Sequence, residues 1–108
     1  MQYFQALQIG QARIRDAVAL LKRYTGNALP AIALRENRGS GRGWEPVGEE
    51  NLYSIVEGEH GLIICLCDAE GNAKAIASWY SREEAEGIAA RMRADSIQEY
   101  TGRVRLPV

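Results

Sequence analysis

Residues 51–80 read NLYSIVEGEHGLIICLCDAEGNAKAIASWY, and this stretch decides the fold. Three runs, 51–57, 61–68 and 72–80, are rich in strand formers, and the connectors Glu57-Gly58-Glu59-His60-Gly61 and Asp68-Ala69-Glu70-Gly71-Asn72 are turn-rich and Gly-bearing. Short apolar runs with tight glycine connections predict an antiparallel meander. Side chains two apart share a face. Ile63, Cys65 and Cys67 therefore point one way and Leu62, Ile64 and Leu66 the other. A strand apolar on both sides is a central strand, covered on both faces. The same rule puts Ala73, Ala75, Ala77 and Trp79 on one face of the third strand and Lys74, Ile76, Ser78 and Tyr80 on the other. It also sets Tyr53 and Ile55 against Leu52 and Val56.

Outward from this core, Ser81-Arg82-Glu83-Glu84 is a capping box, so a helix begins there. Ala85, Ile88, Ala89 and Met92 line one face of it, and Gly102 is the expected stop after Tyr100. Upstream, Leu7, Ile14, Val18 and Leu21 fall at helical spacing and predict an amphipathic helix over 4–25, closed by Gly26 and Pro30 and weakened at Gly10. Residues 31–35 read as a first strand and 37–48, with its RGSGRG stretch, as a mobile loop. Val104, Leu106 and Val108 alternate with Arg103 and Arg105, and Pro107 confines that strand, 103–108, to an edge. The expectation is one α+β domain over 1–108: two layers, a meander of about four to five antiparallel strands with two helices, in the order α-β-β-β-β-α-β.

Composition narrows the function. With 108 residues, 46% apolar and 25% charged, the chain is an ordinary globular domain. Its longest apolar run, Leu62 to Cys67, is too short to span a bilayer, which takes about 20 residues. The start MQYFQALQIG has no basic region leading into an apolar one, and two cysteines make no disulfide framework. A cytoplasmic location without membrane contact follows as the expectation. Cys65 and Cys67 with His60 fall short of a four-ligand zinc site, and RGSGRG leads into Trp44-Glu45-Pro46 rather than a helix. The only His lies in a turn and no nucleophile elbow is present, so no cofactor, metal site or enzymatic activity is expected.

The charge is unevenly laid out. Residues 1–48 carry seven cations against three anions, 49–86 two against nine, and 87–108 four against two, giving +4, −7 and +2 within a total of −1. Glu57, Glu59, Glu83, Glu84 and Glu86 form the expected acidic surface. The functional expectation is a non-catalytic protein-binding module, engaging a protein partner or a second copy of itself as a homodimer. Tyr53, Ile55, Ile64, Ile76, Tyr80 and Trp44 are its candidate interface residues. The acidic surface suits a basic partner such as a nucleic-acid-handling protein. A small phage- or plasmid-borne inhibitor, in bacteria, fits that description. If both helices pack on one side of the sheet, the other face is left as an interface. If they lie on opposite sides, the domain is a self-contained sandwich.

The alternative is weak nucleic-acid binding through Arg38, Arg42 and Trp44 with Arg13, Arg15, Lys22 and Arg23. Ser81-Arg82-Glu83-Glu84-Ala85 through Ala89-Ala90, in a helix–three strands–helix outline, resembles the second helix of double-stranded-RNA-binding domains. That family presents lysines to phosphates there, whereas Glu83, Glu84 and Glu86 repel them, which argues against RNA binding at this helix.

Overall fold

The computed structural model describes residues 2–30 and 51–106, with the backbone alone described for 2–13 and 30. Helix α1 spans Gln2–Thr25, β1 Leu29–Pro30, β2 Leu52–Gly58, β3 Gly61–Cys67, β4 Ala73–Tyr80 and α2 Arg82–Ala94. The fold is α+β, with two helices on an antiparallel sheet. Three full strands form that sheet in the order β4-β3-β2, and the two-residue β1 pairs with the outer edge of β4.

Helix α1 runs through Gly10 without a break. Gly26, at φ 75°, ends it by donating its amide to the Lys22 carbonyl at 2.6 Å, the left-handed closure that glycine adopts without steric cost. Helix α2 begins as its capping box requires. The Glu84 amide donates to Ser81 Oγ at 3.1 Å, and the Ser81 amide donates to Glu84 Oε1 at 2.9 Å. It stops at Ala94, well before Gly102. Ser96 adopts φ 70°, its amide donating to the Arg93 carbonyl at 2.9 Å while the Ile97 amide donates to Met92 at 2.9 Å. This is a Schellman closure with serine where glycine is usual, which is why the expected stop was misplaced.

Both helices pack on the same face of the sheet. Ala17 and Leu21 of α1 and Ala85, Ile88, Ala89 and Met92 of α2 share one core with Tyr53, Leu62, Ile64, Leu66, Ala75 and Ala77. Helix α1 lies chiefly against β4, where Ala75 and Ala77 let the backbones approach, and α2 lies over β3 with β2 and β4. Each fully buried Leu or Ile in this layer is worth about 1.5–3 kcal/mol over its exposed state. Outside the core, Tyr24 donates its hydroxyl to the Asp95 carboxylate, and Arg91 Nη2 donates to the Tyr24 carbonyl at 3.2 Å, tying the helix ends together.

The chain beyond α2 is not a strand over 103–106; residues 107 and 108 lie outside the described residues. It touches the sheet at two isolated bridges, Tyr53 with Glu99 and Asn72 with Arg105, on opposite edges. Between them it passes the β3–β4 turn. There the Asp68 carboxylate accepts from the Glu70 and Asn72 amides, both at 2.9 Å. Arg105 Nε donates to Asn72 Oδ1 and its Nη2 to the Glu70 carbonyl, both at 2.9 Å. Gly71 sits at φ 88°, and a Cβ there would lie 2.6 Å from the Tyr100 hydroxyl, so the turn and the tail fit only around glycine. The strand expected at 31–35 and the loop at 37–48 lie outside the described residues.

Candidate functional site

With both helices on one face, the other face of the sheet carries Leu52, Ser54 and Val56 of β2, Ile63, Cys65 and Cys67 of β3, and Ile76 and Ser78 of β4. The pairings Leu52↔Cys67, Ser54↔Cys65, Val56↔Ile63, Cys65↔Ile76 and Ile63↔Ser78 establish this. Leu29, opposite Ile76, extends it to β1. Cys65, Cys67 and Ile63 are buried, whereas Leu29 is 52% and Trp79 47% exposed, the exposed large hydrophobics among the described residues.

Trp79 reaches this face through a register shift. Between Leu62↔Tyr80 and Ile63↔Ser78, β4 holds one residue more than β3, which corrects the period-two assignment. Trp79 leaves the alanine face, and Tyr80 turns in to pack against the helix-side core beside Ala77. The Ser78–Trp79 peptide bond is cis. The indole lies over Gly58, where an added Cβ would fall 2.4 Å from Trp79 Cζ3. The His60 ring meets the indole edge-on at 5.4 Å between centroids, and Glu59 Oε1 lies 3.9 Å from His60 Nε2.

The acidic residues converge on the same end. Glu57, in β2, accepts an ion pair from Arg82 at 3.5 Å, which sets the β2–β3 hairpin tip beside the start of α2. Glu59 in the tip, and Glu83, Glu84 and Glu86 in the first turns of α2, complete the group. Among the described residues at this end, five carboxylates stand against the one guanidinium of Arg82. Glu83 and Glu84 also suit the positive end of the helix dipole, and Glu84 is engaged in the cap.

Of the six expected interface residues, Tyr53 and Ile64 are fully buried beneath the helices, and Ile55 and Tyr80 pack half-buried against the same core. Ile76 alone lies half-buried on the second face, and Trp44 lies outside the described residues. Tyr53 instead holds Arg93, whose Nη1 donates to its hydroxyl at 2.7 Å. Arg38, Arg42 and the Arg13 side chain also lie outside the described residues, while Arg15, Lys22 and Arg23 are exposed along α1. Leu29 and Trp79 were missed because a two-residue strand and a one-residue bulge leave no periodicity to read.

The cysteines are buried side by side on β3, Cys65 Sγ donating to the Ser54 carbonyl at 3.6 Å. Its hydrogen bond with Cys67, then burial, push the Cys65 thiol far above the ordinary range, so it stays protonated. Among the described residues no group of three His, Cys, Asp or Glu side chains is placed to hold a metal ion, and no helix is long and apolar enough to cross a membrane. Compared with protein-family models, with curated proteins and with solved structures, the chain matches none.

Proposed function

We propose that this chain is a non-catalytic protein-binding module of the cytoplasm, making contact at the rim of the sheet face opposite its helices, where Leu29 and Trp79 are exposed while Cys65 and Cys67 in its middle are buried. One observation carries the reading: Leu29 and Trp79, the exposed large hydrophobics among the described residues, lie on that one face. Single exposed apolar side chains need no explanation, but two on one face, one a tryptophan, fit the interface pattern of an aromatic anchor with a charged rim. Ile76, half-buried opposite Leu29, joins them. The five carboxylates at the Trp79 end suit a basic partner and speed its encounter.

The test compares the immobilised chain with its Leu29→Ser/Trp79→Ser variant in cytoplasmic extract, both checked for native circular dichroism. The expected result is a defined protein retained by the first and lost from the second. Identical retention by both chains, with neither self-associating in light scattering, overturns the reading.

A further inference from the structure

We infer that Trp79 and Glu59 form a subsite for an arginine side chain of the partner, an inference that rests on the proposed protein-binding role. Part of the indole is committed within the chain, over Gly58 and against the edge of His60, and 47% of the residue remains open. An exposed indole face attracts a cation through its ring quadrupole. In the contact series Trp79–His60–Glu59 the carboxylate stands one side chain beyond that ring, across His60, with Glu59 88% exposed and without a lysine or arginine partner among the described residues. Glu57 is differently placed, because Arg82 already answers it. A planar guanidinium satisfies both elements, stacking on the indole while donating in parallel to a carboxylate. A lysine ammonium offers only a point charge. The remaining carboxylates of this end, Glu83 and Glu86, oppose a nucleic-acid phosphate and favour a basic peptide segment.

The probe is a fluorescein-labelled hexa-arginine peptide, titrated by anisotropy at low and physiological salt, with hexaglutamate as the control. Trp79→Leu keeps apolar bulk but removes the ring, and is expected to weaken binding about fivefold, the size of a partly exposed cation–π contact. Trp79→Tyr restores part of that loss. Glu59→Gln weakens binding about threefold, while Glu99→Gln, at the other end of the sheet, leaves it unchanged. In the unaltered chain the peptide shifts the imidazole proton resonances of His60, the sole histidine, which tests the site even where a variant folds poorly.

No binding at low salt overturns the inference. So does hexa-arginine binding that ignores Trp79→Leu, or that Glu99→Gln weakens as much as Glu59→Gln, since either means diffuse charge attraction. Retention of a partner that depends on Leu29 and Trp79, with no response to hexa-arginine, leaves the binding role standing and removes the subsite. The reverse pair of results keeps the subsite and removes the wider role.

Discussion

Gly58→Ala tests the placement of Trp79 directly. The new methyl would lie 2.4 Å from Trp79 Cζ3 and 3.2 Å from both the Gly61 carbonyl oxygen and Ile63 Cδ1. The backbone oxygen cannot yield, so the far edge of the indole must. With Trp79 47% exposed, about half of the roughly 200 Å² that a tryptophan buries is at stake, about 2.5 kcal/mol at 25 cal/mol per Å² as an upper bound. Replacing a strand glycine by alanine returns about 0.5–1 kcal/mol. The net cost therefore lies between about zero, if the ring slides, and about 2 kcal/mol, if it leaves. Stability alone is a poor reporter, and the ring is the better one. In a Trp44→Phe background the Trp79 emission is expected to move to the red. The His60 imidazole resonances, shifted in the native chain by an indole at 5.4 Å, should move toward those of a free side chain. Hexa-arginine affinity should fall with them. A folded Gly58→Ala protein with unchanged emission and unchanged His60 resonances refutes the packing of Trp79 on Gly58.

Three further outcomes are expected. Ser81→Ala removes the acceptor for the Glu84 amide and should lower stability by about 1 kcal/mol in urea titration; no change means the cap is dispensable. Ser96→Gly relieves a side chain held at φ 70° and should raise the urea midpoint by about 0.5–1 kcal/mol in stability, net of the greater freedom of the unfolded chain. A lower midpoint contradicts the Schellman closure. Tyr24 has its pKa raised, first by its hydrogen bond to Asp95 and then by burial. A raised folded-state pKa favours the protonated phenol in the native chain. That stabilisation is present below the ordinary tyrosine value, about 10, and is lost as pH rises through the folded one. Wild type should thus exceed Tyr24→Phe in stability by more at neutral pH than in strong alkali. A constant difference across that window denies the linkage.

How far the sequence could be read depends on how local the signal was. The start of α2 was legible because Ser81 and Glu84 act across three residues. The partition of β3 was legible because Leu62, Ile64 and Leu66 alternate strictly with Ile63, Cys65 and Cys67. Which face the helices would choose was not, since both are apolar; β4 decides it, its small Ala75 and Ala77 admitting α1. The end of α2 was hidden because Ser96 adopts a conformation for which Gly102 was the stronger advertisement. The candidate site was legible by charge and not by anchor. The acidic residues were readable, but the bulge that turns Trp79 outward is a property of pairing between strands and leaves no mark on β4 alone.

The tail that follows α2 gives the molecule a direction. By bridging Tyr53 on one edge and Asn72 on the other, it belts the sheet at the β3–β4 turn, with Tyr100 seated on Gly71. Strands β2 and β4 cannot part at that end until the belt is released. The Tyr53 and Ala73 amides, which donate to the Gln98 and Arg105 carbonyls at 3.0 and 3.1 Å, should therefore exchange with solvent deuterium in one shared opening. At the hairpin end no such belt is seen among the described residues, and Trp79 stands there half in water. One end of the sheet is thus fastened by the chain's own tail, and the other is the end at which the proposed partner would be met.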